Sequence, residues 1–278
     1  MLQVFYSFLY GIIEGITEWL PISSTGHLIL FEQFCSVGDA NFTEMFRVVV
    51  QLGAILAVVL LYWNKLNPFS KKKTPAQKNS IWRTWILVLI GCVPAAFIGI
   101  LFDDIIDAAF YNELTVSLML IIYGVLFIVV ENMIKSNKIH TRINTFNQID
   151  WKLALIIGGF QLLALIPGTS RSGVTILGAM IIGCSRGLGA EYSFFMSIPV
   201  MFGASLLKCA KYGSEMISAG DVFTGTEITS LIVGIVVSFV VSVFAIKFLM
   251  NYIRKNNFKA FGVYRIVLGL IVFLAYIF

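Results

Sequence analysis

Two short polar stretches carry nearly all the chemistry-bearing residues that stand within apolar sequence. The first is Glu14-Gly-Ile-Thr-Glu18-Trp-Leu-Pro21-Ile-Ser23-Ser24-Thr25-Gly26-His27. Glu14 and Glu18, four residues apart, share one face of a helix, where like charges repel unless a divalent cation, an arginine or a shared proton relieves them. Ser23, Ser24 and Thr25 supply hydroxyls. If helix resumes after Pro21, His27 lies three residues from Ser24 and within reach to act as its base. The bland alternative for His27 is a structural hydrogen bond.

The second stretch is Pro167-Gly168-Thr-Ser170-Arg171-Ser172-Gly173. Its glycines let successive amides turn inward, and the start of the following helix offers free N–H groups to an anion. Arg171 brings a forked cation matched to phosphate. Its alternative role is a packing ion pair with Glu14 or Glu18, which leaves the Gly/Ser surroundings unexplained. Neither a Gly-x-x-x-x-Gly-Lys phosphate loop nor a serine-hydrolase elbow is present, since Ser172 stands where the elbow needs glycine.

The elements that hold these stretches belong to a membrane protein. Of 278 residues 58% are hydrophobic and 13% charged, with a mean hydropathy of +0.89, against roughly 25% charged in soluble domains. The net charge of +5 is confined to short connections, so nucleic-acid binding is the weaker explanation. No Lys or Arg precedes the first apolar run, so the first element is expected to stay in the chain and not to act as a signal peptide. Cys35, Cys92, Cys184 and Cys209 lack ligand spacing and read as inert core residues.

Residues 2–34 and 151–183 are each interrupted midway, and each half is shorter than the about 20 helical residues a crossing needs. Both read as re-entrant helical hairpins, with one kinked span as the alternative for the first. Spans are expected at Met45 to Tyr62, Trp85 to Phe102, Leu114 to Val130, 190–207, Ile228 to Ile246 and 260–278. The fold is therefore an all-α polytopic membrane protein with six transmembrane helices and two re-entrant hairpins in one domain, 1–278. Basic links at 64–83 and 131–152 alternate with acidic links at 35–44 and 103–113. Positive-inside bias puts the first pair in the cytoplasm and opens the first hairpin to the outer side.

Gly11 to Glu14 is echoed by Gly158 to Gln161, and Glu44 onward by Glu191 onward. Three spans between the hairpins make the repeat inverted, about 1–140 against about 150–278, with the polar sites near the midplane. Away from the two stretches, Arg186 and Glu191 are expected to pair, and Arg47 and Gln51 to stand behind the site. Asp103, Asp104 and Asp107 read as a solvated face and His140 as solvated. The residues thus describe an outward-opening intramembrane site for an amphiphile with a phosphorylated head and an apolar tail.

At these residues the sequence resembles the undecaprenyl-diphosphatase family, the bacitracin-resistance membrane phosphatases of bacteria. The first stretch resembles the family's glutamate-rich motif, and Pro167-Gly168-x-Ser170-Arg171-Ser172-Gly173-x-Thr175 its Pro-Gly-x-Ser-Arg-Ser motif. The resemblance implies hydrolysis of undecaprenyl diphosphate to the monophosphate and inorganic phosphate in the bacterial cell membrane, recycling the lipid carrier of peptidoglycan synthesis. It also implies a divalent cation, Mg2+ or Ca2+, and a homodimer. On that footing Ser24 attacks phosphorus aided by His27, and Arg171 holds the phosphoryl oxygens with Ser170 and Ser172. Ser23, Thr25 and Thr175 join them on the phosphate, and Glu14 and Glu18 hold the cation. A histidine nucleophile and a glutamate-activated water stay open. The competing class is a transporter or scramblase of a phosphorylated polyprenyl lipid; a purely structural protein is disfavoured by the cost of the polar clusters.

Overall fold

The computed structural model describes residues 1–277, excluding the side chains of Asp103, Asp104 and Asp107; the expectation of a solvated face there lies outside the described residues. The chain is helical throughout. Among the described residues, six helical segments are long and apolar enough to cross a membrane: Ala40–Leu61, Pro75–Phe102, Glu113–Lys135, Arg186–Ala219, Gly225–Lys255 and Lys259–Ile277. It is an all-α, multi-pass membrane protein.

Two pairs of shorter helices stand apart from these. α1 (Leu2–Thr17) and α2 (Ser24–Glu32) flank the first break, and α8 (Trp151–Leu162) and α9 (Arg171–Ile181) the second. Between them in the chain come α3 (Ala40–Val49), α4 (Gln51–Leu61), the single turn α5 (Trp63–Leu66), α6 (Pro75–Phe110) and α7 (Glu113–Lys135); α10 (Arg186–Ala219), α11 (Gly225–Lys255) and α12 (Lys259–Ile277) complete it.

The spans are longer than expected from the apolar runs alone. Helix α6 carries through the acidic stretch to Phe110 and accommodates Pro94, and α10 runs past Lys211 and Glu215 around Pro199. Glu44 lies within α3, not in a link. A charged residue keeps its backbone N–H and C=O in the i→i−4 ladder, so polarity alone does not end a helix. Two contacts tie segments at matching ends of the spans. Arg83 donates to the carbonyls of Phe146 and Ile149 at 3.3 and 2.6 Å, joining the two basic links. The Arg47 guanidinium, in the helix that the acidic link 35–44 leads into, lies 5.0 Å over the Tyr111 ring of the other acidic link.

Lipid supplies no hydrophobic drive between helices, so close backbone approach carries the packing. At the α7–α12 crossing Gly124 and Gly262 face each other, and a Cβ on either would stand 2.7 Å from the other's carbonyl oxygen. α1 packs on α11, and α8 on α6. All four cysteines are free; Cys92 and Cys184 are buried, but Cys35 is half-buried and Cys209 exposed, so only the first two are core residues. Burial pushes the Cys184 thiol up to about 11.

Candidate active site

Both breaks are built in the same way. Pro21 removes an amide donor, Ile22 turns tightly onto the Leu20 carbonyl at 2.7 Å, and Ser23 takes φ 71°. In the second break Gly168 has φ 89° and Ser170 φ 70°. A left-handed backbone at a non-glycine residue costs on the order of 1–3 kcal/mol and persists only where the surroundings over-determine it. Here the determinant is the cap. Ser23 Oγ accepts from the Gly26 amide at 3.4 Å, and Ser170 Oγ from the Gly173 amide at 3.2 Å. Each serine thereby starts a new helix, and the next residues, Ser24 and Arg171, occupy equivalent first positions.

The two helix starts meet through Glu18. Arg171 Nη2 donates to Glu18 Oε1 at 2.8 Å, and Ser24 Oγ donates to Glu18 Oε2 at 2.9 Å. Ser172 Oγ donates to the Glu18 carbonyl at 3.0 Å, which clasps the backbones together. Arg171 Nη1 donates to the Ser193 carbonyl at 3.0 Å, and its guanidinium lies 5.7 Å over the fully buried Trp19 ring. Glu18 and Arg171 side chains are only 9% and 11% exposed, so this pair sits in low dielectric, where removing either partner is costly.

Exposure sorts the remaining candidates. Ser24, Thr25, His27, Ser170 and Arg171 keep partly accessible surfaces, whereas Glu14, Ser23, Ser172 and Thr175 are buried. Thr175 Oγ1 is engaged with the Arg171 carbonyl at 2.7 Å and Ser193 Oγ at 2.6 Å, which packs α9 on α10. Ser170 and Ser172 hydroxyls stand 3.3 Å apart. Glu14 differs from all of these, because both its carboxylate oxygens are buried without a hydrogen-bond partner.

Two expected pairings and the expected place of Arg47 are replaced. His27 does not meet Ser24: Nδ1 lies 2.7 Å from the Ser23 carbonyl and Nε2 2.7 Å from the Tyr264 hydroxyl, with the two rings stacked. Helix α2 turns the histidine toward α12 while Ser24 faces α1. Arg186 and Glu191 do not pair: Arg186 binds Glu131, and Glu191 accepts from Lys65 at 2.6 Å. A five-residue separation leaves two side chains on different helix faces, so each found a partner on another element. Arg47 pairs with Glu32 at 2.6 Å, tying α2 to α3 instead of standing behind the site.

Two residues of α12 join the site unforeseen. Besides Tyr264, the fully buried Arg265 donates through Nη1 to the Pro21 carbonyl at 3.3 Å and through Nη2 to those of Gly168 and Thr169 at 2.9 and 3.0 Å. One guanidinium thus satisfies carbonyls that both breaks free from helical bonding, as buried backbone groups require. Its sequence signal was an isolated arginine in an apolar span, which implies a polar partner at depth.

Fold and site together define a polytopic helical membrane protein whose polar centre is built where two interrupted helix pairs touch. Residues 7–271 match the model for bacitracin resistance protein BacA, and the chain belongs to that family. It is 58% identical over 278 residues to the undecaprenyl-diphosphatase of Acetivibrio thermocellus, covering 100% of this chain and 99% of that protein. It is 56% identical over 264 residues to the undecaprenyl-diphosphatase of Enterococcus faecalis (95% and 94% covered), and 54% over 276 residues to that of Desulfitobacterium hafniense (99% and 96%).

Proposed function

We propose that the chain hydrolyses undecaprenyl diphosphate to undecaprenyl phosphate and inorganic phosphate in the bacterial cell membrane, which returns the lipid carrier to peptidoglycan synthesis and confers bacitracin resistance. The names of its relatives support the reaction. The observation that carries the site is the Ser24–Glu18–Arg171 chain of contacts, which joins a hydroxyl, a proton acceptor and a phosphate-suited cation from the two breaks.

In this reading Ser24 Oγ attacks the terminal phosphorus while its proton passes to Glu18, the carboxylate it already faces. The bond from phosphorus to the bridging oxygen breaks, and the lipid monophosphate leaves. Water then cleaves the phosphoserine. Arg171 turns from Glu18 toward the phosphoryl oxygens as charge spreads onto them, assisted by the first-turn amides of α2 and α9. Thr25 and Ser170 border this space. His27, engaged by Tyr264, stands beside the reaction and not on the Ser24 proton.

The donor set suits a divalent cation. Glu14 has two buried carboxylate oxygens without partners, and Glu18 lies one turn away; such hard oxygens are the ligands of Mg2+ and Ca2+. When bound there, such a cation supplies charge neutralisation at the diphosphate.

The architecture proposed is an inverted repeat of two re-entrant hairpins, each followed by three spans. One constant offset relates Glu14 to Gln161, Ser23 to Ser170, Gly26 to Gly173 and Glu44 to Glu191, and the matched strained caps support it. The site opens to the extracytoplasmic side, by the alternation of charge in the links, and the active form is a homodimer.

Phosphate release by purified protein given a polyprenyl diphosphate, with a phosphoserine trapped by acid quench, is the expected result. Near-normal turnover of Ser24→Ala would overturn the nucleophile, and near-normal turnover of Arg171→Ala the two-break site.

A further inference from the structure

On the face that carries the basic links, a cavity of about 330 Å³ lies between α5 and the start of α6, lined by Trp63, Phe69, Trp82, Trp85 and Leu89 among others. Three large aromatic side chains at its mouth are exposed: Trp63 by 54%, Phe69 by 77% and Trp82 by 47%. The loop beneath is braced, not loose. Lys73 Nζ donates to the carbonyls of Asn64 at 2.5 Å and Asn67 at 2.6 Å, and Trp85 Nε1 to the Leu66 carbonyl at 2.8 Å. Phe69 and Trp82 meet edge to face at 5.7 Å.

Charge lies along the same line. Lys78, Trp82, Trp85 and Leu89 follow one another at helical spacing, so one stripe of α6 runs from cation through aromatic rings to aliphatic surface. Lys71 and Lys72 follow Phe69 closely in the chain and are exposed. The ammonium groups of Lys71, Lys72 and Lys78 have no partner among the described residues, and the link 64–83 contains no acid. Positive-inside bias explains the number of lysines. It does not explain a braced, aromatic-walled cavity whose lining residues Phe69 and Trp82 are close in the chain to Lys71, Lys72 and Lys78.

We propose that this cavity is a binding site for an anionic phospholipid of that leaflet, with the phosphate between Lys71, Lys72 and Lys78 and one acyl chain along Trp82, Trp85 and Leu89. The occupant is chosen by shape and charge together. An anion without a tail leaves the apolar cavity unfilled, and a zwitterionic lipid brings a headgroup cation in among three lysines. Basic side chains beside a membrane contribute about 1 kcal/mol each toward anionic lipid. The site is separate from the reaction centre, so the inference does not depend on the proposed activity.

The test is tryptophan quenching in mixed micelles, because three of the five tryptophans line the cavity. Phosphatidylglycerol brominated on its acyl chain is expected to quench at far lower concentration than brominated phosphatidylcholine. In the triple variant K71Q/K72Q/K78Q the phosphatidylglycerol affinity should fall roughly 100-fold, which is three lysines at about 1 kcal/mol each converted at 1.4 kcal/mol per tenfold. Lys71 and Lys72 are exposed and Lys78 half-buried, and glutamine keeps most of the stem of each, so the variant should melt like the parent. Trp82→Phe with Trp85→Phe should remove most of the lipid-dependent signal. Equal quenching by the two lipids, or unchanged affinity in the triple variant, would overturn the proposal. Displacement of brominated phosphatidylglycerol by a polyprenyl phosphate at lower concentration than by phosphatidylglycerol itself would overturn it too, by giving the cavity to the carrier lipid.

Discussion

Replacing Glu18 by glutamine keeps its shape and removes one property, the ability to accept at both oxygens. Glu18 accepts from Arg171 at 2.8 Å and from Ser24 at 2.9 Å. An amide has one accepting end, and its NH2 cannot face a guanidinium N–H. The amide oxygen will therefore keep Arg171, and the NH2 will turn to Ser24, whose hydroxyl must accept where it used to donate. The seryl proton loses its acceptor, and Arg171 keeps a hydrogen bond but loses its countercharge at 11% exposure. Charged hydrogen bonds contribute about 1.5–3 kcal/mol, so Glu18→Gln should destabilise by at least about that much. Glu18→Ala, which strands Arg171, should cost about 3–5 kcal/mol.

The kinetic effect is comparable in free energy and is read directly in the rate of the folded protein. Loss of a positioned proton acceptor lowers rate by about 10²–10⁴-fold, roughly 3–5 kcal/mol of barrier. If Glu18 acts through the Ser24 hydroxyl, adding Glu18→Gln to Ser24→Ala should cost little more than Ser24→Ala alone. The assay is phosphate release from a polyprenyl diphosphate in detergent under single turnover, with thermal unfolding measured on the same preparations. A folded Glu18→Gln protein within fivefold of the parent rate would refute the proton path. Losses that multiply in the double variant would refute the coupling of Ser24 to Glu18.

Arg265→Leu leaves the Pro21, Gly168 and Thr169 carbonyls without that donor, and at about 1–3 kcal/mol per stranded group thermal unfolding should register a loss of at least about 3 kcal/mol. Gly168→Ala should lower both the melting temperature and turnover, since the residue holds φ 89° and an added Cβ would stand 2.7 Å from the Val116 backbone. Glu14→Gln should melt no lower than the parent in chelator, while Mn2+ bound by the protein, counted by electron paramagnetic resonance, falls at least tenfold; unchanged binding would remove Glu14 from the cation site. A membrane-impermeant maleimide on intact cells should label Cys35 and Cys209 but not Cys184, whose thiol is buried and pushed up to about 11; labelling of Cys35 and Cys209 only after permeabilisation would invert the assigned faces.

What the sequence made legible follows from local rules. Pro21, the Pro167-Gly168 step and the flanking Ser runs marked both breaks, because loss of an amide donor is a property of one residue. Glu18 and Arg171 were recognisable as mutual candidates, because buried charges need partners and few existed. The choice between Glu14 and Glu18 was not legible, since it depends on the side from which α9 meets α1. His27 shows the same boundary: spacing allowed Ser24, but Tyr264, 237 residues away, is brought to it only by the packing of α12. Arg186 failed for a local reason that was available, as five residues do not share a helix face.

The buried charges, taken together, explain why Glu14 is the position of most consequence. Glu18 is balanced by Arg171, and Arg265 is solvated by carbonyls of the two breaks. Glu14 has neither a hydrogen-bond donor nor water-accessible surface at its carboxylate oxygens, and an ionised carboxylate in that state costs several kcal/mol. It must either hold a proton or meet a cation. In the proposed reaction a diphosphate arriving beside Arg171 would add negative charge close to Glu14, so a cation held there would favour substrate binding and the substrate would favour the cation.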